Sequence, residues 1–217
     1  MRYLLILSLL FASYACADEE EEKKDTKEEK ILSKEHTLTI GDQTIRYHAT
    51  TGRLPIHNSE GKESARIFFI AFTKVDAEPE RPLTFVFPGG PGGSSGPESI
   101  CAFGPRRLPL TSEGKPKRPP YSLMDNPQTL LFETDLIYVD PVETGYSRVM
   151  EKDDAVIYHT STGDMVSLSM FISNYLSMFK KWNSPLFLSG CSYGTTRACG
   201  VGYILTAFFN IPHMQNA

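Results

Sequence analysis

The chain has 217 residues, 41% of them hydrophobic and 22% charged, enough apolar side chain for one core of respectable size. Its formal net charge of −4 is carried by a single segment, because Asp18 to Lys30 holds eight acidic and four basic residues and the remainder sums to zero. That balance leaves no electrostatic footprint for nucleic acid, and neither the count nor the spacing of the four cysteines (Cys16, Cys101, Cys191, Cys199) suggests a disulfide framework or a zinc site.

At the N-terminus, Met1-Arg2 precedes an apolar stretch from Tyr3 to Phe11. It is too short to span a bilayer and matches the apolar core of a secretory signal. Ala15-Cys16-Ala17 supplies a small-x-small cleavage site before Asp18. The expectation is export to the periplasm or the medium, with residues 1–17 removed; lipidation at Cys16 is the alternative, and the only route here to a membrane. The block 18–30 has no apolar side chain to repay the entropy of ordering, so it reads as a disordered, solvated linker. Residues 31–217 remain as the folded domain.

Within that domain, Thr37 to Ile40 and Thr44 to Tyr47 alternate around a turn at Gly41-Asp42-Gln43, the pattern of an antiparallel hairpin. Ala65 to Thr73 is dense in β-formers and predicts a third strand. Leu83 to Phe87, Leu136 to Val139 and Pro185 to Ser189 are short continuous apolar runs, which suit strands buried on both faces of a mostly parallel sheet. Between 164 and 182, Met165, Leu168, Phe171, Ile172, Tyr175, Leu176 and Phe179 fall at helical spacing and predict one amphipathic helix with a core-facing stripe. Antiparallel strands, then strand, loop, strand, helix, strand and helix make an α/β fold, the opening of an α/β-hydrolase sheet.

Two loops end these strands. Pro88-Gly89-Gly90-Pro91-Gly92-Gly93-Ser94-Ser95-Gly96 places five glycines in nine residues directly after a buried strand, exposing backbone N–H groups to a developing oxyanion. A phosphate loop needs Gly-Lys-Ser/Thr or the dinucleotide spacing, and neither is present, so neither a cofactor nor a metal is expected. Asp140-Pro141-Val142-Glu143-Thr144-Gly145-Tyr146-Ser147 offers two carboxylates, but Pro141 and Gly145 punctuate it as a rigid turn and no further ligands accompany them. Phe103 to Arg107 and Arg197 are solvated or locally paired by default, with carboxylate binding as the alternative.

The most informative stretch is Gly190-Cys191-Ser192-Tyr193-Gly194, between an apolar run and helix-compatible sequence. In this pattern small residues let the chain turn sharply from strand to helix, presenting the serine oxygen at the helix N-terminus beside free backbone N–H groups. Cys191 and Cys199 straddle it and read as small buried apolar residues; pairing of Cys101 with either stays open. A serine elbow needs an acid and then a histidine later in the chain. After Ser192 there is no Asp or Glu, and the one histidine is His213.

The elbow, the Gly89-Gly90-Pro91-Gly92 loop, Ala102-Phe103-Gly104-Pro105 and Asp140 to Ser147 together resemble the serine carboxypeptidase family, particularly its bacterial members, over roughly residues 80–205. The chain looks like the N-terminal half of such an enzyme; after about Tyr203 the sequence stops resembling the family, and Ala207 to Ala217 reads as foreign to it. The resemblance implies an α/β-hydrolase that removes C-terminal residues from peptides through an acyl-enzyme on Ser192. It assigns the oxyanion donors to the backbones of Gly90 and Tyr193 and places the acid and histidine beyond residue 217. It further implies that positions 88, 89 and 191 hold the terminal carboxylate of the peptide. Here the family's usual asparagine is Pro88 and its usual glutamate is Cys191, beside Gly89; proline has no N–H to donate and cysteine cannot share a proton with a carboxylate. A complementing C-terminal fragment is the partner this implies. The other readings are a non-catalytic exported remnant or binding module, with an open sheet edge, or an esterase or acyltransferase of the same fold.

Overall fold

A computed structural model describes residues 30–208. The predicted signal with Cys16, the linker up to residue 29, and His213 lie outside the described residues. In chain order the elements are β1 (Leu32–Ile40), β2 (Gln43–His57), β3 (Glu63–Lys74), β4 (Leu83–Phe87), α1 (Gly96–Cys101), β5 (Arg106–Arg107), β6 (Met124–Asp125), β7 (Asp135–Val139), β8 (Arg148–Val149), α2 (Ala155–Tyr158), α3 (Ser161–Met178), β9 (Leu186–Gly190) and α4 (Tyr193–Ala207).

One mixed sheet organises them, in the order β1-β2-β3-β7-β4-β9, with β8 on β3. The first part is antiparallel: Gly41, at φ 61, turns the chain so that Ile40 pairs with Gln43, and β2 runs on to pair with β3 from Tyr47↔Lys74 to His57↔Glu63. β7, β4 and β9 are parallel to one another. Every residue of β4 and β7 is buried, as the continuous apolar runs predict for strands covered on both faces. On one face Leu83, Phe85, Phe87, Ile137 and Val139 meet Leu168, Phe171 and Tyr175 of α3 and Val201 and Leu205 of α4. On the other, Val86, Leu136 and Tyr138 meet Leu38, Ile45 and Tyr47. The alternation along β4 thus divides the core between two layers. Phe69, Phe85 and Tyr175 pack edge to face at 5.5 and 5.6 Å, joining β3, β4 and α3.

Three expectations need correcting. The helix predicted over 164–182 begins at Ser161, because Thr160 Oγ1 accepts the Gly163 amide at 3.0 Å, and it stops at Met178, where Lys180 at φ 54 turns the chain. The run from Pro185 to Ser189 is not doubly buried: β9 is the edge of the described sheet, and Phe187 is 52% exposed. Cys191 and Cys199 are exposed, as is Cys101, and all three are free thiols. Cys191 lies on the sharp corner after that edge strand, and Cys199 faces away from the core stripe that Val201 and Leu205 define on α4.

Candidate active site

β4 and β9 are parallel neighbours, with Phe87 opposite Gly190, so the loops that follow them leave the sheet side by side. This register brings the glycine-rich loop and the serine elbow together. The Cys191 amide donates to the Phe87 carbonyl at 3.3 Å, and a Cβ added at Gly89 would lie 3.1 Å from the Cys191 carbonyl oxygen and 3.2 Å from Ser192 Cβ. Pro88, Gly89, Gly90, Cys191, Ser192 and Tyr193 therefore share one corner of the molecule.

The elbow glycines are explained by contact. A Cβ at Gly190 would sit 2.0 Å from the Gly194 carbonyl oxygen, and one at Gly194 would sit 2.4 Å from the Phe87 carbonyl oxygen. Any side chain at either position would drive β9, α4 and the end of β4 apart. Between them Ser192 adopts φ 54 and ψ −121, a conformation that L-residues avoid at a cost of about 1–3 kcal/mol. The Ser192 side chain is exposed, does not cap α4, and has no hydrogen-bond partner among the described residues. Its carbonyl is held instead, accepting from the Thr195 amide at 3.0 Å and from Thr195 Oγ1 at 2.7 Å.

The amides of Gly90 and Tyr193 donate no hydrogen bond within the described residues. Tyr193 is the first residue of α4, where the N–H groups have no partner inside the helix and the helix dipole favours negative charge. Gly90, at φ 112, is exposed on its loop. The glycine-rich loop and the start of α4 thus each carry an unspent backbone donor at the corner where the unpaired Ser192 hydroxyl stands.

Of the roles open to Arg197, the solvated one is excluded: it is buried and paired with a carboxylate of this chain, Asp164. Its side chain is 2% exposed, Nε donates to Asp164 Oδ2 at 2.7 Å, and Nη1 donates to the Pro88 carbonyl at 2.7 Å and to that of Gly89 at 3.4 Å. Burial raises the Asp164 carboxyl above the usual carboxylate range, and the Arg197 guanidinium opposes that rise. Asp164 was not singled out from sequence. The signal available was that Arg197 is the lone charged residue in α4, in a helix that otherwise packs on the core. Arg106, by contrast, pairs locally with Asp125 on the surface.

A cleft of about 380 Å³ opens beside Tyr193, lined among others by Pro91, Glu143, His159, Ser161, Asp164 and Arg197. The turn that floors it is rigid: Asp140 is buried and accepts from the Ser95 amide and Oγ at 2.7 Å each and from the Tyr146 amide at 3.1 Å. A Cβ at Gly145 would sit 1.8 Å from Asp140 Oδ2, which is why glycine stands there. None of His36, His48, His57 and His159 hydrogen-bonds Ser192. Among the described residues no group of three or more His, Cys, Asp or Glu side chains could hold a metal ion, and no helix is long and apolar enough to cross a membrane.

The sequence profile of the serine carboxypeptidases matches residues 41–198, a span that holds both the glycine-rich loop and the strand–serine–helix corner. The chain belongs to the serine carboxypeptidase family. With this membership the sheet and its elbow are an α/β-hydrolase fold, as the strand pattern predicted. The pheromone-processing carboxypeptidase KEX1 of Saccharomyces cerevisiae is 30% identical over 155 residues, which cover 65% of this chain and 20% of that protein. The same values hold for the protein of strain JAY291. The chain thus aligns with about a fifth of the length of these carboxypeptidases. Among solved structures, an epoxide hydrolase mutant from Pseudomonas aeruginosa is similar over 70% of this chain and 36% of its own, with a TM-score of 0.36 and 13% identity.

Proposed function

We propose that this member of the serine carboxypeptidase family carries the nucleophilic half of a peptidase site, in which Ser192 forms an acyl-enzyme with a peptide cleaved at its C-terminus. The backbone of Ser192, at φ 54 and ψ −121 on the N-terminus of α4, carries this reading, because that geometry costs free energy and aims an unpaired hydroxyl outward. The unspent amides of Gly90 and Tyr193 support their role as oxyanion donors. Ser192 attacks the scissile carbonyl carbon, its proton passes to a base, and the carbonyl oxygen becomes an oxyanion between the two amides. Collapse expels the C-terminal residue as an amine that takes up that proton, and water then releases the acyl group.

The base and the acid that orients it are supplied by a segment other than the described residues, and a complementing C-terminal polypeptide is the partner we assign to the site. Without them the described residues bind and orient but do not turn over, since a triad loses most of its rate when one member is missing. Pro88 and Cys191 contact the substrate carboxylate less strongly than side chains that donate or share a proton, so release of C-terminal residues is slow relative to ester cleavage. We assign export from the signal-like N-terminus. A second reading is a non-catalytic exported module of the same fold; it is supported by one observation, that among the described residues Ser192 has no hydrogen-bonded histidine or carboxylate.

The test is labelling of the full chain with a fluorophosphonate probe, alone and mixed with a downstream polypeptide carrying an acid and a histidine. A mass adduct on Ser192 that disappears in Ser192→Ala is expected in the mixture. No adduct under either condition would leave the non-catalytic reading standing.

A further inference from the structure

We infer that Arg197 is a positioning residue that locks both oxyanion donors against Ser192, an inference that rests on the reading of Ser192 as the nucleophile. Its guanidinium spans three elements that meet at the elbow. One edge is engaged by Asp164 in the first turn of α3, at 2.7 Å. Another donates to the Pro88 carbonyl at 2.7 Å and, at longer range, to that of Gly89 at 3.4 Å, on the loop after β4. Its carbon lies 4.9 Å from the centre of the Tyr193 ring, at the start of α4.

The consequence follows from peptide geometry. A trans peptide unit is planar, with C=O and N–H pointing in opposite directions. The Gly89 carbonyl and the Gly90 amide belong to one such unit, and the Pro88 carbonyl and the Gly89 amide to the one before it. A donor fixed on the carbonyl side of these units turns their N–H groups away from the guanidinium, and Gly89 itself lies against Ser192, where an added Cβ would be 3.2 Å from Ser192 Cβ. The other donor, the Tyr193 amide, belongs to the residue whose ring stacks on the same guanidinium. One buried cation therefore sets the separation of the two donors.

A purely structural role accounts for this arrangement poorly. A buried ion pair is replaceable by apolar side chains at little cost in stability, and α4 is otherwise free of charge. A planar fork that serves a carboxylate and two successive carbonyls at once is a task for arginine and not for the point charge of lysine.

The experiment uses the full chain in three forms: wild type, Arg197→Lys, and the double variant Arg197→Met with Asp164→Leu, which removes both charges together. Circular dichroism and a thermal melt establish folding, and the rate of fluorophosphonate addition to Ser192 in the presence of the complementing polypeptide reports donor alignment. Hydrogen exchange at Gly93, whose amide donates to the Gly89 carbonyl at 3.3 Å, reports the loop without reference to chemistry. Addition slowed about 10²-fold in the double variant, the loss typical of one misplaced oxyanion donor, is expected. Gly93 exchange should accelerate at least about tenfold. Arg197→Lys should keep its thermal midpoint and still react slowly; if the double variant does not fold, this form decides.

A folded variant that reacts within about twofold of wild type overturns the inference, whatever its exchange. If wild type itself is not labelled, the nucleophile reading falls instead, and unchanged Gly93 exchange then dismisses the clamp as well.

Discussion

Replacing Ser192 by glycine should make the protein more stable, although it removes the side chain on which the proposed chemistry depends. Ser192 is held at φ 54 and ψ −121, where a Cβ is strained by about 1–3 kcal/mol. Glycine relieves that strain and gives back about 0.4–1 kcal/mol through the greater freedom of the unfolded chain. Nothing else of consequence is lost, because the serine side chain is exposed, does not cap α4 and has no hydrogen-bond partner among the described residues. The net is a gain of about 1 kcal/mol, or a rise in Tm of about 2–4 °C for a chain of this size. Ser192→Ala is the control: it removes the hydroxyl but keeps the Cβ, so it should stay within about 0.5 kcal/mol of wild type. Thermal and urea unfolding of the three forms under one buffer condition measures the difference. A glycine variant no more stable than the alanine variant refutes the reasoning, since the backbone of residue 192 would then carry no strain.

Three further outcomes are expected. Gly194→Ala puts a Cβ 2.4 Å from the Phe87 carbonyl oxygen, a backbone atom that cannot swing aside, and should cost about 3 kcal/mol in urea unfolding. Asp140→Ala strips the Ser95 amide and hydroxyl, both buried, of their acceptor and should cost about 2–4 kcal/mol; a loss below about 1 kcal/mol would contradict the hydrogen-bond account. Asp135, buried beside Arg81, has its carboxyl raised above the usual range by desolvation, with the Lys74 amide and Arg81 opposing. The folded state therefore keeps this proton at a pH where the unfolded chain has released it. The stabilisation is full below the unfolded value of about 4 and is lost as pH rises through the folded one. Asp135→Asn should flatten the decline in unfolding free energy from about pH 4 toward neutrality, leaving the parallel contribution of Asp164. An unaltered slope in the variant would show that another group sets it.

The readable parts of this protein are those where local chemistry has one solution. Leu83 to Phe87 and Leu136 to Val139 announce themselves as doubly covered strands because no solvent-facing position interrupts them. Gly190 and Gly194 bracket Ser192 because the backbones of β4, β9 and α4 approach within the radius of a methyl group. The hairpin at Gly41 is legible for a different local reason, a positive φ that glycine adopts freely. The errors share a different cause. The run at Leu186 to Ser189 has the same apolar signature as β4, but which strand of a sheet is last depends on the order of the others, and β9 is the edge of the described residues. The exposure of Cys191 follows from that placement, and that of Cys199 from the side of α4 opposite Val201 and Leu205, which is settled only once that helix is docked.

By itself, then, the sequence determines an α/β chain with a serine elbow, a glycine-rich loop before it and a family resemblance that the profile match over residues 41–198 makes membership. These are properties of short segments, fixed by periodicity and by backbone conformations that few residue types tolerate. The tertiary structure decides what those segments become to one another. It sets Phe87 opposite Gly190 so that the two loops touch, and it buries Arg197 where Asp164 and the Pro88 carbonyl, 33 and 109 residues away along the chain, converge on it. A charge in a helix looks alike in sequence whether it faces water or a carboxylate, because burial is a sum over neighbours that only the packed chain assembles.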